Sequence, residues 1–318
     1  MDYSQILSQQ FNIKEEYAKN IIALLDDGNT IPFIARYRKE MHGSMDDQLI
    51  REFAEKLEYL RGLDKRRDEI RSLIDAQEKL TDEINLALDK AATLSELEDI
   101  YRPYRPKRKT RASIAKEKGL EPLANDILKQ EKGFDPSKSA VDYIDEEKGV
   151  TSVEDAIQGA MDIIAELVSD NAEIRKRIRN LTNANGVLVS VATDEEKDSV
   201  YKNYYDYKEP VKKIAGHRVL AVNRGEKEGF LKVSVETDSE KPLNSIFRAM
   251  ITDKNQLCSD IIREACTDAY QRLIYPSIER EVRNELTEKA EDGAISVFKK
   301  NLHQLLMQPP IVGKVGLG

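Results

Sequence analysis

One apolar stripe between residues 46 and 77 constrains the fold of this chain more strongly than its other features do. Charged residues fill the positions between its members, so the opposite face of the segment is solvated, and Lys65, Arg66 and Arg67 beside their acidic neighbours are typical of such a face. The stripe is too short for a free coiled coil, and we expect a long spine helix that packs against its neighbours. Its members recur at steps of three and four residues, as on one face of an α-helix: Leu49, Phe53, Leu57, Leu60, Leu63, Ile70 and Ile74.

Helical spacing recurs through most of the chain and predicts a mainly α, multi-helical and elongated assembly. Residues 186–192 and 230–236 instead alternate and are rich in β-branched side chains, so both are predicted strands. Residues 217–223 fit either a third strand or a short helix. A small β insertion therefore interrupts the helices, and three further helices are predicted after it, at residues 242–250, 256–275 and 277–306.

The 318 residues are enough for two or three domains. We expect five segments: helix-turn-helix-like N-terminal helices (1–43), a helical region with the spine (44–185), the β-containing insertion (186–240), C-terminal helices (241–308) and an exit linker (309–318). In the first segment a tight turn at residues 26–29 joins two helical patterns.

The second of these N-terminal helices carries a basic group that a helix-turn-helix would present to a DNA groove. It consists of Arg36, Arg38 and Lys39. The alternative is a purely structural helix pair. The helix also has apolar side chains that we expect to be buried, namely Ile31, Phe33, Ile34 and Tyr37.

Charge limits the kind of nucleic-acid binding that this chain can perform. Charged residues make up 34% of the chain, yet the net charge is −8, which excludes a protein that coats DNA through an overall positive surface. Any phosphate contact must come from a local patch. Cys258 and Cys266 read as core thiols on one helix, and we find neither a signal peptide nor an apolar run of membrane-spanning length. We expect a cytoplasmic protein with no membrane contact.

Such a patch lies in residues 97–124, here called the basic segment. Pro103 and Pro106 favour an extended, polyproline-like rod, in which Tyr101 and Tyr104 alternate with cations. Arginine forks suit phosphate and tyrosine rings suit bases, but the same residues would serve equally as an internal strap that pairs with carboxylates. The candidate phosphate ligands in this segment are Arg102, Arg105, Lys107, Arg108, Lys109 and Arg111. We expect nearby acidic helices to neutralise a second basic cluster, formed by Arg175, Lys176, Arg177 and Arg179.

Catalytic motifs are not found in this sequence. The three histidines are far apart, and carboxylates occupy capping and helix-surface positions rather than a shared apolar pocket. The glycines of residues 224–229 mimic a phosphate loop, but two glutamates and the missing Gly-Lys-Ser/Thr favour a turn. We therefore expect no enzyme activity, no metal site and no cofactor.

Four stretches give the chain a family resemblance. It resembles the bacterial Tex family of transcription accessory proteins, which are related to a eukaryotic elongation factor that also handles histones. The resemblance implies that the complete protein continues into RNase H-like (YqgF-type), helix-hairpin-helix and S1 RNA-binding domains, although Gly316 departs from the apolar residue expected there. The stretches are IPFIARYRKE (31–40), LEDIYRPYRPKRKTRASIAKEKGLEPLA (97–124), GHRVLAVNRGEKEGFLKV (216–233) and LLMQPPIVGKVGLG (305–318).

Two functional interpretations remain open on these grounds. The first is a helical scaffold that is associated with RNA or DNA and with transcription, and that makes weak, sequence-independent phosphate contacts of its own. The second is a platform that docks RNA polymerase or ribosome-associated partners, with the basic segment turned inward. A nuclease fragment is a third and weaker alternative, because the required carboxylate cluster is missing from the sequence.

Overall fold

The computed structural model describes residues 2–106, 109–252 and 254–308, which belong to two compact units. Unit 1 is Met1–Arg105 and unit 2 is Pro106–Gly318. The mainly α fold with a small β insertion is confirmed. The five-segment division is finer than these two units and stays a prediction, and the linker expected at residues 309–318 lies outside the described residues.

Helices α1 to α7 belong to unit 1, and α8 to α16 belong to unit 2. In unit 1 they are Tyr3–Phe11, Glu15–Asp26, Ile31–Tyr37, Lys39–His42, Asp47–Asp75, Asp82–Lys90 and Leu94–Tyr101, followed by a 3-10 turn at Arg102–Tyr104. In unit 2 they are Arg111–Glu117, Glu121–Lys129, Pro136–Ala140, Val153–Ser169, Ala172–Asn185, Gly216–Lys227, Glu240–Met250, Gln256–Asp268 and Tyr275–Leu306. Strands β1, β2 and β3 are Val187–Ala192, Asp206–Pro210 and Leu231–Glu236.

The predicted spine helix is confirmed as α5. Its N-cap is Asp46, whose carboxylate accepts a 2.8 Å hydrogen bond from the amide of Leu49. Ile50 and Phe53 in its first half pack with α1, α2 and α3, whereas Ile70 and Ile74 in its second half pack with α6 and α7. One continuous stripe therefore supplies two separate apolar clusters, which explains why it is so long.

Arg67, which we expected on the solvated face of α5, is buried instead. Its guanidinium donates hydrogen bonds of 2.8 Å and 2.9 Å to the carbonyls of Leu88 and Ala91 at the end of α6, and it forms an ion pair with Asp64. The Ala91 carbonyl lies at the C-cap of α6, and the Leu88 carbonyl accepts only a 3.3 Å hydrogen bond from the amide of Ala91, so the arginine supplies donors to a helix end and is itself satisfied. The local charge pattern could not reveal this contact, because its acceptors lie more than twenty residues further along the chain.

The core of unit 2 forms around α11. Ala156, Ala160 and Ile164 are fully buried there, in a cluster to which α8, α9 and α15 also contribute. Cys258 and Cys266 are buried on α15, as predicted, and burial raises the pKa of the Cys266 thiol to about 12. Gly159 allows the close approach of the loop after α8, because a Cβ at this position would lie 2.3 Å from Leu120 Cδ1.

The β insertion is a three-stranded antiparallel sheet in the order β2-β1-β3. Strands β1 and β3 confirm the two predictions, and Val189 in the central strand stands between Lys208 of β2 and Ser234 of β3. Strand β2 was not predicted, because its sequence DYKEP is polar and contains a proline. Both properties are compatible with an edge strand that is only half covered.

Two helical segments differ from expectation. Residues 217–223 are helical, within α13, because Val219 and Val222 are buried at a spacing of three residues. The break expected near residue 276 is absent: α15 continues into α16 through a π-helical turn at Ala269–Ile274. A proline ring clashes with the carbonyl four residues earlier in a regular helix, and the wider turn immediately before Pro276 accommodates it.

Gly43 offers a test of the packing in unit 1. It has φ +66°, and a Cβ there would lie 2.6 Å from Cε2 of Tyr17. We expect Gly43→Ala to reduce the free energy of unfolding of unit 1 by about 2–4 kcal/mol, the sum of left-handed strain and overpacking. Hydrogen exchange of the α2 and α5 amides in urea would measure this loss.

Gly28 supplies the matched control for that experiment. It has φ +79°, but no atom lies within 4 Å of its hypothetical Cβ. Gly28→Ala should therefore cost only the strain, about 1–2 kcal/mol. Equal losses in the two variants would show that the contact with Tyr17 carries no energetic weight.

Candidate nucleic-acid interface

The basic segment crosses the boundary between the two units. Residues 97–105 end unit 1 and residues 106–124 begin unit 2. The predicted polyproline-like rod is wrong for the first part: Arg102 has helical dihedrals of φ −52° and ψ −44° in a 3-10 turn, and only Arg105, with φ −67° and ψ 133°, is extended. The burial of Tyr101 outweighs the extended preference of a residue before proline. Lys107 and Arg108 lie outside the described residues.

Tyr101 and Tyr104 were predicted to stack on bases. Tyr101 is buried beside Leu97, and the guanidinium carbons of Arg66 and Arg105 lie 5.8 Å and 5.6 Å from its ring centroid. Tyr104 is half-buried against the same cluster, and its carbonyl accepts a 2.8 Å hydrogen bond from Gln77 Nε2. Base stacking on Tyr101 would require its present contacts to open, and the stacking role stays a prediction.

The arginines at the end of unit 1 already have partners. Arg105 forms an ion pair with Glu98, which also accepts a 2.7 Å hydrogen bond from Arg66, yet the Arg105 side chain remains 50% exposed. The hydrogen bond to Glu98 raises the pKa of the Arg66 guanidinium above its ordinary value. Arg102 is half-buried and also has an interaction partner. Phosphate would therefore have to compete with Glu98 for Arg105.

In unit 2 the cations of the basic segment are more accessible. Lys109 Nζ lies 3.5 Å from Glu117 Oε2, with both side chains largely exposed. Arg111 is exposed at the first position of α8, and it has no ion pair with any residue that the structure describes. Burial raises the pKa of nearby Asp162, and the positive charges of Arg111 and Arg272 offset only part of that effect.

The N-terminal basic group is the most open of the candidate sites. Helix α3 ends at Tyr37 and α4 begins at Lys39, because Arg38 leaves the helical region with φ −130° and ψ 32°. Arg36 and Lys39 are exposed and have no carboxylate partner among the described residues. The Arg38 guanidinium instead lies over Phe33, 5.2 Å from the ring centroid.

Tyr37 was predicted to be buried, and this prediction is wrong. Its side chain is 64% exposed, and its ring contacts Phe33 at a centroid distance of 5.3 Å. Tyr37 is the last residue of α3, and the chain leaves the helical region at Arg38. In the sequence, an exposed aromatic side chain thus stands between the unpaired cations Arg36 and Lys39. Whether α2 and α3 act as a helix-turn-helix stays a prediction.

Two members of the second basic cluster are neutralised by a carboxylate of α16, whereas Arg177 is exposed with no ion pair among the described residues. Arg175 is fully buried on α12, and its Nη2 donates to Glu281 Oε1 of α16 at 2.9 Å. Arg179 donates to the other oxygen of Glu281 at 2.8 Å. Both arginines hold α12 against α16 and are not available to phosphate.

Within the described residues, no group of three or more His, Cys, Asp or Glu side chains could hold a metal ion. No described helix is long and apolar enough to cross a membrane. His42 is buried, with Nε2 3.1 Å from the Ile34 carbonyl, and residues 224–227 form the last turn of α13 rather than a loop.

Comparison with known families identifies the chain. A family model described as Tex central region-like matches residues 131–298, which is more than half of the 318 residues. The chain belongs to the Tex family. A second model, for the Tex-like protein N-terminal domain, matches residues 1–75, so the N-terminal basic group lies in the Tex N-terminal domain and the Arg175–Glu281 contact in the Tex central region.

Relatives of the Tex family align along the whole chain. YdcI of Bacillus subtilis (strain 168) is 45% identical over 100% of this chain and 45% of its own length. The transcriptional accessory protein Tex of Neisseria gonorrhoeae is 36% identical over 98% of this chain and 42% of its own. The human S1 RNA-binding domain-containing protein 1 is 31% identical over 100% of this chain and 33% of its own length. This chain thus spans less than half the length of these relatives.

The Glu281 contact yields a prediction. We expect Glu281→Ala to reduce the free energy of unfolding of unit 2 by about 3 kcal/mol, because it leaves two buried guanidinium groups without this carboxylate. Urea denaturation followed by circular dichroism would measure the loss. Glu288→Ala, at an exposed position on the same helix, should change stability by less than about 0.5 kcal/mol. Similar losses in the two variants would contradict a structural role for Glu281.

Proposed function

We propose that this chain is the N-terminal helical scaffold of a transcription accessory protein, and that it makes weak, sequence-independent contacts to the phosphates of RNA or DNA. Its membership of the Tex family supports the association with transcription, as does the name of the gonococcal relative. The name of the human relative supports an association with RNA through an S1 domain. The observation that carries the phosphate contact is the pair of exposed, unpaired cations, Arg36 and Lys39, on either side of the exposed Tyr37 in the sequence.

The N-terminal basic group has the chemistry that a nucleic-acid backbone needs. Arg36 can donate to phosphate oxygens in a forked geometry, and Lys39 adds a mobile point charge. The exposed ring of Tyr37 offers a face on which an unpaired base can stack, a contact that does not depend on sequence. Because no described carboxylate competes for Arg36 or Lys39, binding does not require an ion pair to break.

The cations of the basic segment make a second and weaker contribution in this proposal. Arg111 is exposed without an ion pair among the described residues, whereas Lys109 and Arg105 must leave Glu117 and Glu98 before they bind phosphate. Ion pairs at the protein surface are worth less than about 1 kcal/mol, so phosphate can replace the carboxylate partners of Lys109 and Arg105 at a small cost. The net charge of −8 nevertheless limits the chain to the non-specific range, with a Kd on the order of 10⁻⁴ to 10⁻⁶ M.

Salt-dependent binding of a labelled single- or double-stranded oligonucleotide tests the proposal. With about three or four phosphates neutralised, log K should fall against log salt with a slope of about −3 on duplex. Changing Arg36, Tyr37 and Lys39 to Ala should weaken binding several-fold and reduce the steepness of the slope by about 1.5 to 2, at an unchanged Tm. Changing Arg105, Lys107, Arg108 and Lys109 to Ala should give a smaller loss of affinity.

A matched control variant is available in unit 1. Lys65, Lys79 and Tyr59 are exposed, and their replacement by Ala removes the same charge and the same kind of ring as the N-terminal variant does. It should bind like the parent. If the N-terminal and basic-segment variants also keep the affinity and salt slope of the parent, the phosphate-contact proposal fails.

A specific observation favours a second candidate function, a platform that docks RNA polymerase or a ribosome-associated partner. The last turns of α16 expose apolar side chains at steps of three and four residues, and such exposed stripes typically mark contact surfaces: Ile295, Phe298, Leu302 and Leu305. We expect Phe298→Ser with Leu302→Ser to weaken binding to purified RNA polymerase at least tenfold in biolayer interferometry. Val191→Ser, at an exposed position on β1, is the control. Undetectable binding by the parent chain would reject RNA polymerase as the partner.

A further inference from the structure

A groove in unit 2 is lined by none of the candidate phosphate ligands that the structure describes. It has a volume of about 500 Å³, within the range of ligand sites, and three elements form it: the end of α12, the segment from Val211 to Val219, and the middle of α16. Its floor is apolar and largely buried, and it consists of Val211, Val219, Val282 and Ala290.

Five polar side chains surround this floor, and none of them has a hydrogen bond or an ion pair with another described residue. They are Asn180 and Asn183 of α12, Lys212 of the connecting segment, and Glu285 and Lys289 of α16. Elsewhere along the same two helices, Arg175 and Arg179 both donate hydrogen bonds to Glu281. The groove therefore presents hydrogen-bond donors and acceptors that no described residue occupies.

The walls of the groove are held in place by contacts outside it. The paired arginines fix α12 to α16, and Asn223 Nδ2 of α13 donates a 2.8 Å hydrogen bond to Thr287 Oγ1 of α16. Gly216 brings the start of α13 directly against α16, since a Cβ there would lie 3.1 Å from the Cα of Ala290. A ligand would thus enter a site that is already formed, which lowers the entropic cost of binding.

We propose that this groove binds a short extended peptide segment in which a carboxylate side chain neighbours an apolar one. Asn180 and Asn183 are three residues apart and share a face of α12. Each amide carries both donors and an acceptor, so the pair can bond to the N–H and C=O groups of an extended backbone. The apolar side chain of the peptide covers the buried floor, and its carboxylate lies between Lys212 and Lys289.

Charge complementarity favours an acidic peptide over a nucleic acid. Two lysines against one glutamate make the groove positive in a chain whose net charge is −8. The phosphates of a nucleic-acid strand would be repelled by the Glu285 carboxylate and would lose hydration against the apolar floor. A peptide that alternates apolar and acidic residues instead presents one kind of side chain to the floor and the other to the rim.

Fluorescence polarisation with a labelled octapeptide of alternating leucine and aspartate is the direct test. The complete chain should bind this peptide at least tenfold more tightly than it binds the matched leucine–lysine and serine–aspartate peptides. Lys212→Ala with Lys289→Ala should weaken binding about tenfold, and Asn183→Leu should weaken it about fivefold. Lys208→Ala with Lys213→Ala removes two exposed lysines that do not line the groove, and this control should bind like the parent.

Three results would overturn the proposal. The first is the absence of saturable binding by every acidic–apolar octapeptide in an array that varies the order of the two residue types. The second is binding that survives both the Lys212 and Lys289 substitutions and Asn183→Leu, with Tm unchanged. The third is displacement of the peptide by excess single-stranded oligonucleotide, which would assign the groove to the nucleic-acid surface. Failure of phosphate binding at Arg36 and Lys39 would leave these results unaffected.

Discussion

A buried guanidinium needs hydrogen-bond acceptors, and in each unit one arginine imposes this requirement on the helices around it. In unit 1, the side chain of Arg67 on α5 donates hydrogen bonds to two carbonyls at the end of α6. In unit 2, Arg175 reaches from α12 to Glu281 on α16. Neither charge could stay buried without these partners, because desolvation of an unpaired ion costs several kcal/mol. The positions of α6 and α16 therefore follow from electrostatics as well as from apolar burial.

The same requirement determines which cations remain for ligands. The chain has 58 acidic and 50 basic side chains, and many of its cations form ion pairs with carboxylates. Arg66 and Arg105 both pair with Glu98, whereas Arg36 and Lys39 have no carboxylate partner among the described residues, and Arg111 acts on Asp162 without forming an ion pair with it. The number of positive charges in a segment is consequently a poor guide to function in an acidic protein. The useful quantity is the positive charge that remains after internal pairing.

Separate surfaces of this Tex-family chain are suited to different ligands under the two proposals. The N-terminal basic group combines unpaired cations with an exposed ring and suits a phosphate backbone. The groove in unit 2 combines unpaired amides and lysines with an apolar floor and suits a peptide. A scaffold that contacts nucleic acid through one unit and a protein segment through the other would be consistent with an accessory role in transcription, in which several macromolecules must be held together.

Helices and strands that depend on a local hydrophobic pattern could be predicted from the amino-acid sequence alone. The stripe from Leu49 to Ile74 predicted α5, and alternating β-branched residues predicted β1 and β3, because periodicity reports directly which face of an element is buried. The sequence also supplied the family, through stretches too long to be generic. Residues whose role depends on distant partners could not be assigned in this way.

The burial and the partners of individual side chains could be read from the tertiary structure but not from the sequence. Tyr101 is buried and Tyr37 is exposed, although both occur in similar mixtures of aromatic and basic residues. Arg67 and Arg175 are internal, although their local sequences are typical of a solvated face. The groove exists because α12, α13 and α16 meet across about a hundred residues of chain. Burial and ion pairing depend on residues that are close in space, whereas a local sequence pattern reflects only residues that are close along the chain.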